Sequence, residues 1–116
     1  MRDISGAIEY KGVTYKIVFN LNVMEAIQEE YGTIEKWGDL TDGSGTGEAN
    51  IRALKFGIGA MINEGIDIMN EDDGADLKPL TLRQVGRLLS DIGFDKAAEL
   101  LQQTVEASTK TEIKNA

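Results

Sequence analysis

From about Ala49 to near Met69 the chain runs some twenty residues without a proline, and this stretch constrains the fold more than any other. Ile51, Leu54, Ile58, Met61, Ile62, Ile66 and Met69 recur at helical spacing and form one apolar stripe. Phe56 and Ala60 point to a different side, with Ala53 and Gly57 nearby. A helix apolar on two sides is either wrapped by its own domain or offers one side to a partner. Gly57 and Gly59 each weaken such a helix by about 1 kcal/mol relative to Ala. Close approach of another backbone accounts for their presence. The rest of the chain therefore has to supply cover for a central helix.

Part of that cover reads as an N-terminal hairpin. Ala7–Tyr10 and Val13–Phe19 are rich in β-branched and aromatic residues, and Lys11-Gly12 sits between them as a two-residue turn. Alternation puts Val13, Tyr15, Ile17 and Phe19 on one face. Two strands alone are marginal in water, so helices must pack on that face. A first helix is expected after Asn22, read as its N-cap with Glu25 in capping-box spacing, and Gly32 stops it. Thr33 then caps a short turn, Ile34 to Trp37, closed by Gly38. Beyond the central helix, Thr81 and Gln84 make a second capping box, followed by Val85, Leu88, Leu89 and Ile92 on one face. Gly93 ends this helix, and Phe94 is placed to close it hydrophobically. Asp95 caps a last helix with Ala97, Ala98, Leu101 and Val105 on its apolar side.

The expected architecture is α+β: an N-terminal β-hairpin packed on a mainly α-helical domain of about four helices. Residues 1–6 read as a flexible N-terminus, 7–107 as a single domain and 108–116 as a polar, disordered tail.

Several sites are excluded by pattern. Thr41–Glu48 alternates glycine with small polar residues, but lacks the Gly-Lys-Ser/Thr ending and the preceding buried strand of a phosphate loop. It reads as a flexible loop. Glu64, Asp67, Glu71, Asp72, Asp73 and Asp76 form an acidic stretch with no basic residue before Lys78. Setting Gly74 as the invariant glycine of a calcium loop puts Met69 first and Leu80 last, where oxygen donors are required, so the EF-hand pattern fails. The stretch is expected to be an exposed loop, where a basic partner could dock. The last two helices could form a DNA-reading pair, but the second carries Asp95, Glu99 and Glu106 against Lys96 alone. A plain αα-hairpin fits better.

Composition narrows the chemistry. The 116 residues include no Cys and no His, which removes thiol chemistry, thiolate zinc sites and the commonest general base. No recognisable arrangement of carboxylates, Lys, Tyr or Ser/Thr suggests catalysis, and no cofactor or metal is expected. The formal net charge is −8, which disfavours nucleic acid and anionic membranes and can steer basic protein partners. The N-terminus lacks the apolar segment of a signal peptide, and no apolar run is long enough for a bilayer span, so a cytoplasmic protein is expected. Such a chain is expected to act by binding other proteins.

The linear order of segments then carries a resemblance. A hairpin of the form Tyr10-Lys11-Gly12-Val13-Thr14-Tyr15-Lys16 leads into Phe19-Asn20-Leu21-Asn22 and a Glu-rich helix ending Glu29-Glu30-Tyr31-Gly32. After a Gly/Ser loop come Ile51-Arg52-Ala53-Leu54-Lys55-Phe56-Gly57 and then Leu80-Thr81-Leu82-Arg83-Gln84-Val85-Gly86-Arg87-Leu88-Leu89, closed by Ile92-Gly93-Phe94. Over residues 7–106 this order resembles the tail assembly chaperones of long-tailed bacteriophages and prophages. The acidic stretch Ile66–Lys78 is longer than in that pattern.

The resemblance implies a helper of virion assembly in the host cytoplasm, absent from the mature virion. It would coat the tape measure protein, keep it soluble and recruit tail tube subunits. It also implies many copies on one long target, hence self-association, and in many such genes a longer product made by ribosomal frameshifting. Apolar surface is needed to accept a helix, and Phe56, Ala60, Met61 and Met69 are the candidate partner-binding residues. Two other classes remain: a structural completion or connector subunit retained in the tail, and an acidic inhibitor that mimics DNA.

Overall fold

A computed structural model describes residues 6–43 and 47–115, with side chains described as far as Glu106. The hairpin consists of β1 (Gly6–Tyr10) and β2 (Val13–Ile17). Five helices follow: α1 (Leu21–Tyr31), α2 (Ile34–Asp42), α3 (Ile51–Asp72), α4 (Leu82–Ile92) and α5 (Phe94–Asn115). The molecule is thus α+β, an antiparallel hairpin on a mainly helical body.

The strands pair in the register Ile8 to Tyr15 and Tyr10 to Val13, joined by Lys11 and Gly12, both at positive φ (51° and 78°). That is the two-residue turn whose twist matches the strands. Ile8, Tyr15 and Ile17 are buried on one face. β2 ends at Ile17 rather than Phe19, because the Val18 amide donates to the Met61 carbonyl on α3 (3.3 Å). The chain leaves the sheet there, and Val18 and Phe19 are both buried.

The cap of α1 is Asn20, not Asn22. Asn20 is extended (φ −134°, ψ −172°), and its side chain accepts from the Val23 amide (3.2 Å). Asn22 lies inside the first turn. Its side-chain amide and that of Asn20 both donate to Glu64 Oε2 on α3, at 3.0 and 2.8 Å. Thr33 caps α2 as expected, but the helix continues through Gly38 to Asp42 and ends at left-handed Gly43. The first residues of the expected Gly/Ser loop are therefore helical, and Ser44–Thr46 at its centre lie outside the described residues. The Asn50 amide donates to the Leu40 carbonyl (2.7 Å), while its side chain caps α3 at Ala53 (2.9 Å).

α3 is the axis of the fold, and its glycines mark where neighbours come closest. A Cβ on Gly57 would overlap the Trp37 indole of α2, and one on Gly65 would overlap the Lys16 carbonyl of β2. At Gly59 it would meet Val85 of α4 at 3.1 Å. Close approach of a backbone thus occurs at Gly65, whereas Gly57 and Gly59 admit side chains. The Phe19 and Trp37 rings stack with centroids 6.3 Å apart, and the indole N–H donates to the Ala53 carbonyl (3.0 Å). Ile58, Met61, Ile62 and Ile66 of the first stripe are fully covered, and on the second side Ala53 and Gly57 are buried while Phe56 and Ala60 are half-buried. Ile51, which the stripe would place inside, is 55% exposed.

The Thr81–Gln84 capping box forms as read. Gly93 alone separates α4 from α5, and the Ala97 amide already bonds the Gly93 carbonyl (3.0 Å). Asp95 is consequently in the first turn rather than the cap, and Phe94 does not fold back on α4 but stands 47% exposed. α5 runs to Asn115, so the backbone of residues 108–115, expected to be a disordered tail, is helical. Residues 1–5 of the expected flexible N-terminus lie outside the described residues. Among the described residues no helix is long and apolar enough to cross a membrane.

Candidate partner-binding surfaces

The four residues expected to bind a partner do not form one surface. Met61 is completely buried in the core, so its side chain is not available to a partner in this fold. Phe56 is half-buried against the Tyr31 ring, edge to face at 5.6 Å. Ala60 is half-buried one turn further on, packed against the core. Met69 is half-buried, about 20 Å along the helix axis from Phe56 and far round its circumference. Its carbonyl accepts the amides of Asp73 (2.9 Å) and Ala75 (3.3 Å), which end α3.

The structure opens a different surface. A groove of about 610 Å³ lies between the first turns of α3, the outer face of α4 and the start of α5. Buried Leu54, Leu89 and Ala97 form its floor, and exposed Ile51 and Phe94 stand at its sides. Three cations edge it: Lys55, Arg83 and Arg87. Arg83 and Arg87 are one helical turn apart on α4 and share a face with Gly86 and Ser90. A Cβ on Gly86 would sit 3.2 Å from Lys55 Cε, so the bare backbone there makes room for the lysine stem to lie across α4. No carboxylate among the described residues pairs with these three cations. Arg52, their neighbour, does have such a partner: its Nη1 lies 2.7 Å from Glu30 Oε2, which raises the guanidinium pKa further.

This surface is not legible from the sequence pattern, because the stripe places Ile51 inside, Phe94 is placed to close α4, and a net charge says nothing of where the cations gather. The available signal was Arg83 and Arg87 at i, i+4 on a short helix otherwise marked by its apolar face.

The acidic stretch is only partly the expected loop, because Glu64, Asp67, Glu71 and Asp72 lie on α3. Glu71, Asp72, Asp73 and Asp76 are exposed, but the backbone that follows is not loose. The Asn70 side chain bonds both backbone groups of Leu77 (3.0 and 3.0 Å), and Asn63 bonds both of Leu80 (3.0 and 2.8 Å). Two asparagines seven residues apart thus strap residues 77–80 back along α3, each offering the amide pairing that a neighbouring strand would. Glu64, at the other side of α3, is engaged by Asn20 and Asn22. Among the described residues no group of three or more carboxylates is placed to hold a metal ion.

A smaller groove of about 270 Å³ runs between α2 and α5, beside Trp37, Leu101 and Val105. Both grooves offer apolar contact bordered by polar groups, the chemistry of helix recognition. The chain matches no known family model, no curated protein and no solved structure.

Proposed function

We propose that this chain is a tail assembly chaperone of a long-tailed bacteriophage or prophage. It binds the tape measure protein, keeps that long helical chain soluble and helps recruit tail tube subunits during tail morphogenesis. The observation that carries this reading is the ordered resemblance over residues 7–106, from the Tyr10–Lys16 hairpin to Ile92-Gly93-Phe94. The open apolar groove on α3 and α4 supports it, because a chaperone for a long helix needs a concave apolar surface to receive one. In this role the protein acts in the bacterial cytoplasm, in several copies per target, and is left out of the mature virion.

Co-expression with the tape measure protein encoded beside it is the test. A soluble complex that co-elutes is the expected result. A tape measure protein that stays insoluble with no complex formed would sink the proposal. Stoichiometric chain in purified virions, read by mass spectrometry, would replace it with a structural tail subunit.

A further inference from the structure

We infer that the groove between α3, α4 and the start of α5 is a docking site for an amphipathic helix whose apolar stripe is flanked by carboxylates. The inference is defined by the groove's own chemistry and stands independently of the virion-assembly reading. Its charge is opposite to that of the chain: Lys55, Arg83 and Arg87 gather at one cleft of a protein with a formal net charge of −8. No carboxylate among the described residues lies within ion-pair distance of them, whereas Arg52, one turn away, is matched by Glu30 at 2.7 Å. Cations left without partners around a concave site steer and orient an anionic partner.

The floor sets the second requirement. Leu54 and Leu89 lie beneath, and Ile51 (55% exposed) and Phe94 (47%) rise at the sides. They are two of the three large apolar side chains that the described residues expose, and both border this one groove. An occupant must therefore bring apolar side chains to the centre and carboxylates to the rim. Phosphate backbones satisfy the rim but not the floor, and the acidic surface beyond the groove repels them. The chain's own acidic segment, Glu71–Asp76, exposes carboxylates without a large apolar side chain, so in a second copy it would leave the floor empty. A helix with a Leu stripe bordered by Glu satisfies both. Gly86 matters to the fit, because it keeps the α4 wall low where Lys55 crosses.

The test uses the full chain and two synthetic helical peptides with the same Leu stripe, one flanked by Glu and one by Lys, titrated by fluorescence anisotropy. The Glu-flanked peptide is expected to bind at least about tenfold more tightly than the Lys-flanked one, and to weaken as salt is raised. The double variant Arg83→Glu/Arg87→Glu changes exposed side chains only, and is expected to reverse the preference. A reversal cannot come from mere loss of folding. Phe94→Ser is expected to weaken both peptides. Equal affinity for the two peptides, or an unchanged preference in the double variant, overturns the inference. So does tighter binding of a single-stranded oligonucleotide at the same groove, or self-association of the chain that Arg83→Glu/Arg87→Glu abolishes. Failure of the tape measure co-expression with success here would discard the chaperone reading and keep the groove.

Discussion

Gly65 shows how much one missing side chain can decide. Its Cβ would collide with the Lys16 carbonyl, a backbone atom that cannot rotate away, whereas at Gly59 the neighbour is a Val85 methyl at 3.1 Å. Both substitutions to Ala gain about 1 kcal/mol of helix propensity. Gly59→Ala is therefore expected to change stability by less than about 1 kcal/mol, while Gly65→Ala loses about 1–3 kcal/mol as the hairpin is pushed off α3. Urea denaturation of the two variants checks this, and equal effects would contradict the close approach. Tyr31 is the reverse case: its hydroxyl is buried and makes no hydrogen bond of good geometry, with the Arg52 guanidinium near it as a weak partner. Tyr31→Phe is expected to leave the melting temperature equal or higher, since removing an unsatisfied group relieves up to about 1–3 kcal/mol of desolvation.

Among the elements, the caps separate what local sequence can specify from what it cannot. The Thr81–Gln84 box closes within four residues, so it was legible from spacing alone. Spacing from Glu25 places the cap of α1 at Asn22, but the structure puts it at Asn20, and Glu64, more than forty residues away, takes the side-chain amides of both asparagines. The strap formed by Asn63 and Asn70 is also long-range in kind. Its signal was present, as two poor helix formers seven residues apart on α3, but their backbone partners at Leu77 and Leu80 could not be read from spacing. Asn63→Ala leaves both backbone groups of Leu80 unpaired in a half-buried site. A loss of about 1–3 kcal/mol is expected, with faster amide hydrogen exchange at Leu80. Unchanged exchange there would show that the strap is held by other contacts.

For the molecule as a whole, one apolar cluster runs from Ile8 in the hairpin through α3 to Leu101 in α5. A single core predicts a single transition. Trp37, the only tryptophan, sits on α2 and touches α3 and the segment after β2, so its fluorescence reports the centre of that core. Fluorescence and far-UV circular dichroism are expected to give the same urea midpoint. A separate, earlier loss of ellipticity would mean that part of the helical body unfolds independently. Net charge is the property that transfers least between levels. It describes the acidic chain correctly and the groove wrongly, because three of the cations are collected at one cleft and their neighbour Arg52 is matched by Glu30.

The sequence by itself determined the hairpin with its Lys11-Gly12 turn, the helical identity of the central stretch, the α4 cap and the α+β class. Each depends on periodicity or on contacts a few residues apart, where backbone sterics and alternation act directly. Tertiary structure decided which side of each helix stays wet. It buried Met61, exposed Ile51 and Phe94, and set Lys55 across Gly86. Burial depends on what packs against a face, and for α3 those neighbours come from β2, α1, α2, α4 and α5, elements whose approach no local pattern encodes.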